Sequence, residues 1–422
     1  MDYTRRIIDE QLDDLFPHLP AIALEGARGV GKTATASRRG ASMVNLANPR
    51  QRSIVEVDPG YVATLARPTF LDEWQLVPET WDIVKMNVDM NPSGGQFLLA
   101  GSAGVKRGVR IHSGAGRIVK LAMRPMSLPE RGLCDPTVSL TALMNGNSDV
   151  EGSCDLRLSD YTDEILASGF PAIRTLPERA RRLQLDSYLQ RVVDHDLVEN
   201  GVVVRRPAAL TSWLTAYAAA TGTTTSYSNI LDAATPGEDQ KPARQTVAVY
   251  REELIRLFIL DSLPAWIPAM SPLKKLSQSP KHHLVDPGLA ARLIGSTKSS
   301  LLRGEGRTLS APDSTALGAL FESLATQTVR ILAEAVEANT FHMRTQDGLH
   351  EIDLIVEAPD RRVLALEVKL SDKVDDRDVK HLLWLSSLLG DRVIDTVVLT
   401  TGPIAYRRQD GVAVVPLGLL GL

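Results

Sequence analysis

Three groups of side chains in this sequence have types and spacings suited to chemistry. The first is the run Gly26, Ala27, Arg28, Gly29, Val30, Gly31, Lys32, Thr33, continuing into Ala34. Its glycines let the backbone turn successive N–H groups onto phosphate oxygens at the positive end of a following helix. Lys32 supplies a mobile charge for the β- and γ-phosphates of ATP, and Thr33 a hydroxyl for Mg²⁺. The second group serves the same nucleotide. Asp72 ends an apolar stretch, where its carboxylate can hold Mg²⁺ through water; Glu73 beside it is placed to orient or deprotonate an attacking water, and Ser102 ends the next apolar stretch as a hydrogen-bond partner for that water or the γ-phosphate. Arg117 and Arg124 are the candidates for a positive group on the γ-phosphate. The third group lies near the C-terminus, where Asp353, Glu367 and Lys369 stand at hairpin spacing with Glu322 ahead of them.

Elements must hold these groups in place. Apolar Ala21 to Leu24 before the glycines and helix-compatible Ala34 to Arg39 after them give the order strand, phosphate loop, helix. A lead-in helix over residues 5–16 is expected from Ile7, Ile8, Leu12, Leu15 and Phe16 at helical spacing. Strands are expected at Met43 to Leu46, Pro68 to Glu73 and Gln96 to Ser102, with a helix from Trp81 to Val88. That alternation predicts an α/β domain with a mostly parallel sheet over 1–150. The polar, turn-rich stretch from Gly132 to Asp160 marks its boundary. Residues 151–300 read as a helical, winged-helix-like region, with helices at 178–198, 208–220 and within 227–263 and a short strand at Leu284-Val285. Residues 296–313 read as a linker. A third domain, 310–422, follows in the order helix (Thr315 to Ala335), strand (Glu351 to Ala358), strand (Val363 to Leu370), helix (Asp378 to Leu389), strand (Thr396 to Thr401). If the hairpin is centred on residue 360 or 361, Asp353 lies opposite Glu367 or Lys369, so two carboxylates and a lysine converge.

Composition bounds the function classes. The 422 residues, 44% hydrophobic and 23% charged, are those of a globular protein of two or three domains. No window approaches the roughly 18 apolar residues of a membrane span, and no signal peptide is evident, so a cytoplasmic protein without membrane contact is expected. Cys134 and Cys154 lack CxxC or CxxH partners and are expected as two free thiols. A net charge of −4 offers no strong electrostatic footprint for nucleic acid. Residues 171–282 carry 14 Lys or Arg against 11 Asp or Glu, whereas residues 311–422 carry 11 against 17. DNA or RNA contact would therefore rest on the middle region together with the C-terminal one.

Gly26 to Thr33, Phe70 to Glu73, Phe97 to Ser102, Gly116-Arg117 and Leu121 to Leu128 together resemble prokaryotic AAA-type P-loop ATPases fused to a C-terminal domain of unknown function. Gly169-Phe170-Pro171 and Asp186 to Arg191 with Asp196 match the same pattern. The chain departs from it at Gly26-Ala27-Arg28, where the family commonly has Gly-Pro-Arg, and at Ala100-Gly101-Ser102, where it has Thr-Gly-Ser; neither change removes a catalytic group. The C-terminal group resembles the PD-(D/E)xK nuclease superfamily, whose fold is restriction-endonuclease-like. That resemblance implies Asp353 and Glu367, with Glu322, as metal ligands and Lys369 near the attacking water.

These features give the expectation of a Mg²⁺-dependent ATPase, with a homo-oligomer among its options, coupled to a nuclease-like module. The alternative is a nucleotide-dependent regulatory switch with a catalytically silent C-terminal scaffold for protein partners. A small-molecule kinase is disfavoured, because Asp72-Glu73 is a water-activating arrangement and nothing else suggests an acceptor pocket.

Overall fold

Alternation of side chains along the strand after the lead-in helix sets the layers of the N-terminal domain. In the computed structural model, which describes residues 3–102, 109, 111–146, 148–235, 243–267, 279–306 and 315–422, that helix spans Ile7–Leu15. Strand β1 (Ala21–Glu25) turns Ile22 and Leu24 toward the helix and Ala21 and Ala23 toward the opposite apolar layer. With β2 (Ser42–Asn45), β3 (Thr69–Asp72), β4 (Phe97–Gly101) and β5 (Val119–Ala122) it forms a wholly parallel sheet in the order β2-β3-β4-β1-β5. β3 and β4 are buried along their whole length, as central parallel strands covered on both faces must be. β5 was not anticipated. It is an edge strand whose short run alternates between half-buried and exposed positions, so it lacks the apolar signature of its neighbours.

The middle region is helical. Its main helices are Leu158–Ala167, Glu178–Arg191, Pro207–Ala219, Tyr227–Ala234, Arg244–Arg256 and Pro287–Leu293. The second continues through a π-helical turn, Val192–Asp196, into Leu197–Glu199. The expected Pro-Gly loop at Pro236-Gly237 lies outside the described residues. Beyond Arg244–Arg256, single bridges join Leu260 to Leu284 and Leu263 to Lys281. The stretch read as a linker contains a capped helix, Lys298–Leu302, with Leu301 buried; residues 307–314 lie outside the described set.

The last region begins with the helix Ala316–Ala335. A two-residue strand near the N-terminal boundary, β6 (Val138–Ser139), precedes it in the chain. Then come β7 (Asn339–Arg344), β8 (Glu351–Glu357), β9 (Val363–Val368), the helix Asp376–Leu389, β10 (Val393–Thr400), β11 (Tyr406–Arg407), β12 (Ala413–Pro416) and β13 (Leu420–Gly421). Six strands form a mixed sheet in the order β11-β12-β10-β9-β8-β7. β7, β11 and β12 escaped the sequence reading; β7 is largely polar, and the other two are short. Leu354 faces Leu366 and Glu357 faces Val363, so the hairpin is centred on residue 360 and Asp353 comes level with Glu367.

The apolar core of the middle and last regions is continuous, running from Leu128 to Leu420. β13 pairs in parallel with β6, and Ser153 bridges Ile404. Both cysteine segments are thereby drawn onto the C-terminal edge. Cys134 and Cys154 form a disulfide, with Cα atoms 6.2 Å apart, which corrects the expectation of two free thiols. Twenty residues of separation carried no local signal of that pairing. Among the described residues, no helix is long and apolar enough to cross a membrane.

Candidate nucleotide and carboxylate sites

The phosphate loop is built around close backbone approaches. A Cβ on Gly26 would stand 2.1 Å from the Met123 carbonyl oxygen, and Gly31 caps the following helix, Lys32–Ser37, at φ 108°. Lys32 is buried, and its ammonium donates to the carbonyls of Gly26 at 2.7 Å and Ala27 at 2.8 Å. Burial pulls its pKa down to about 8, against the opposing pull of Glu73 and Asp72. Thr33 lies at the start of the same helix, where its hydroxyl donates to both oxygens of Asp72, at 3.0 and 3.1 Å. Burial raises the Asp72 pKa, which the Thr33 hydrogen bond opposes. Hydroxyl and carboxylate meet as a Mg²⁺ site of this type requires.

Glu73 follows β3 in a left-handed conformation, φ 53°, uncommon outside glycine. The Ser102 hydroxyl, beyond the end of β4, donates to its carboxylate at 3.2 Å. Gln75 holds the same carboxylate oxygen. Arg28 reaches out of the loop to Asp196 of the π turn at 2.8 Å, to Glu199 at 3.3 Å and to Ser102 at 3.4 Å. The helical middle region therefore closes on the phosphate loop through Asp196 and Glu199.

These groups border a cavity of about 1000 Å³ lined by Arg28, Lys32, Thr33, Glu73, Arg174 and Arg191 among others. Neither arginine expected at the γ-phosphate lines it. Arg117 pairs with Asp89 at 2.6 Å, and Arg124 is buried against Asp261 and Glu334, at 2.6 Å each. Arg191 was missed as a site residue, although it closes the matched segment Asp186 to Arg191. It sits 3.3 Å from Asp196, the carboxylate that also holds Arg28.

The C-terminal residues also come together. Glu322 on the helix Ala316–Ala335, Asp353 on β8, and Glu367 and Lys369 at the end of β9 surround one point. Lys369 donates to Glu367 at 2.9 Å, and the Val368 N–H to Asp353 at 3.0 Å. The residue the sequence reading missed stands in their midst. Lys281, only 1% exposed, places its ammonium 2.8 Å from Asp353, 3.0 Å from Glu322 and 3.2 Å from Glu351. Burial opposes the charge on Lys281, but the three carboxylates hold its pKa well above the usual lysine range. Burial would raise the Asp353 pKa, yet Lys281 and Lys369 hold it well below the carboxylate range; burial lifts Glu322 to about 7. Burial and the Asp353 charge push Glu367 well above its ordinary value, and its Oε1 has no hydrogen-bond partner. Among the described residues, no group of three or more His, Cys, Asp or Glu side chains is disposed to hold a metal ion.

Family models match three segments of the chain. Residues 18–131 match an AAA domain, residues 158–300 a domain of unknown function (DUF8612), and residues 317–420 another (DUF4143). The parallel sheet, the loop and the matched segment define an N-terminal P-loop ATPase domain. No curated protein matches the chain. Among solved structures, the Walker-type ATPase PABY2304 of Pyrococcus abyssi aligns over 69% of this chain and 96% of its own at 14% identity, with a TM-score of 0.41. Drosophila ORC bound to DNA aligns over 62% and 87% at 11% identity, with a TM-score of 0.21. The McrB AAA+ hexamer of Thermococcus gammatolerans with bound McrC aligns over 49% and 70% at 11% identity, with a TM-score of 0.17.

Proposed function

We propose that this protein is a Mg²⁺-dependent ATP hydrolase whose nucleotide state is felt by the helical region clamped to its phosphate loop. The observation that carries the reading is the Thr33–Asp72 contact, with Glu73 immediately beyond it and held by Ser102. Mg²⁺, when bound, would neutralise charge on the β- and γ-phosphates. Lys32 would leave the Gly26 and Ala27 carbonyls for phosphate oxygens, Thr33 and Asp72 would hold the ion, and Glu73 would accept a proton from the attacking water. Arg28 and Arg191 share Asp196, so a γ-phosphate competing for either one loosens the π turn. Lys32→Ala is expected to abolish ATP binding and turnover, and Glu73→Gln to spare binding while lowering phosphate release by about 10²–10⁴-fold; unchanged turnover in both would refute the assignment.

For the C-terminal module two readings stand. The convergence of Glu322, Asp353, Glu367 and Lys369 under a mixed sheet supports a nuclease-like, restriction-endonuclease-related fold acting on DNA or RNA, with the middle region supplying winged-helix-like contacts. The acidic balance of residues 311–422 and the Lys281 ammonium among the carboxylates favour the second reading, a catalytically silent scaffold. Metal-dependent nicking of plasmid DNA that disappears in Asp353→Ala would establish the nuclease.

A further inference from the structure

We propose that Lys281 is the resident cation of the C-terminal carboxylate cluster, filling the position among Glu322, Glu351 and Asp353 that a divalent ion would need, so that the module takes up no such ion there. The proposal rests on the second reading above, the catalytically silent scaffold, and specifies why it is silent.

An ammonium has three donors, and Lys281 finds three carboxylates within 3.2 Å, from a helix and from two positions on one strand. A hard divalent ion wants the same oxygens gathered at about 2.0–2.6 Å around the same centre. Both cations cannot stand there together. Lys369 is engaged by Glu367 and Arg344 stands 3.6 Å from Glu351, so three cations face the four carboxylates Glu322, Glu351, Asp353 and Glu367. The one loose end is Glu367 Oε1, buried without a partner. The Lys281 ammonium, bonded to Glu322, Glu351 and Asp353, does not satisfy it.

The lysine is anchored from behind. Its N–H and carbonyl both pair with Leu263 at 2.9 Å. His282 pairs through its backbone with Gly222 and Thr223, and its ring packs against Tyr217 and Tyr227. A Cβ on Gly222 would come within 3.1 Å of Glu322, so the middle region also roofs the cluster closely. The side chain is thus held in the cluster by backbone bridges at Lys281 itself and at the next residue, unlike a surface lysine that happens to meet an acid.

The test is Mn²⁺ titration of the nucleotide-free full chain, followed by electron paramagnetic resonance, in an Asp72→Asn background that removes the phosphate-loop carboxylate. With Lys281 intact, no Asp353-dependent Mn²⁺ uptake is expected below millimolar concentration. With Lys281→Gln added, one Mn²⁺ per chain should bind at least tenfold more tightly, and Asp353→Asn should abolish that gain. Asp353-dependent uptake, or Asp353-dependent nicking of plasmid DNA, by protein with Lys281 intact would overturn the proposal. A folded Lys281→Gln protein that takes up no ion would overturn it equally. Should Lys281→Gln fail to fold, Lys281→Met with Asp353→Asn and Glu322→Gln supplies the second measurement: restored folding is expected, and no recovery counts against a counter-cation role. The ATPase variants Lys32→Ala and Glu73→Gln are scored separately, so failure here leaves the first site untouched.

Discussion

Lys32 starts from a neutral-leaning position, buried against loop carbonyls with its pKa pulled down to about 8. Phosphate oxygens restore its charge, so above pH 8 ATP binding must take up a proton. Affinity for ATP is expected to be level up to about pH 8 and to fall above it, approaching tenfold per pH unit, with proton uptake visible by calorimetry in buffers of different ionisation enthalpy. Flat affinity to pH 9.5 would contradict this. Most of this site was legible from residue types alone: Gly26 to Thr33, Asp72, Glu73 and Ser102 are close in space as their positions after short apolar runs implied. The positive groups were not legible. An arginine carries no periodic or local constraint, and Arg117 and Arg124 proved to be engaged by Asp89 and by Asp261 with Glu334, while Arg28 and Arg191 face the cavity. Lys281 was invisible for the same reason, because its partners are 41, 70 and 72 residues away along the chain.

At the scale of elements, strands announced by long apolar runs were found where expected, and those set by pairing alone were not. β7 forms because its Phe341 and Met343 fit against β8, and β12 because β10 offers a parallel edge; neither stretch has the length or pattern to declare itself. The disulfide belongs to this scale, since it staples the boundary segment just before β6 to the stretch bridged to Ile404. Closing a loop of about 20 residues stabilises by about 3 kcal/mol in the chain-entropy model. Cys134→Ser, or reduction, should therefore lower the unfolding free energy by about that amount in a denaturant titration. ATP turnover should be little changed, because neither cysteine lines the nucleotide cavity. Gly26→Ala should behave oppositely: with a Cβ 2.1 Å from the Met123 carbonyl, overpacking costs about 1–3 kcal/mol and displaces the loop, so ATP binding falls along with stability.

The same Met123 carbonyl begins the connection between the ends of the molecule. Arg124 follows it and is buried against Asp261, which Arg330 also holds at 3.0 Å, and against Glu334 on the long C-terminal helix. The Asp261 backbone N–H in turn donates to the carbonyl of His283, two residues from Lys281. The phosphate loop and the carboxylate cluster are therefore joined by one contiguous set of packed groups, although only a measured coupling would make that a pathway. Burial would raise the Asp261 pKa, but Arg124 and Arg330 outweigh it and hold it well below the ordinary carboxylate value. A depressed folded pKa means that the stabilisation is complete above the unfolded value near 4 and is lost as the pH falls below it toward the folded one. Arg124→Met leaves a buried carboxylate with one partner fewer and should cost about 3–5 kcal/mol at pH 7. Because Asp261 then titrates closer to its unfolded value, the variant should also lose less further stability than the parent between pH 4 and pH 2. Restoring neutrality with Asp261→Asn should recover part of the loss at pH 7. Equal acid sensitivity of parent and Arg124→Met in urea titrations would mean that this junction does not hold the nucleotide domain to the rest of the chain.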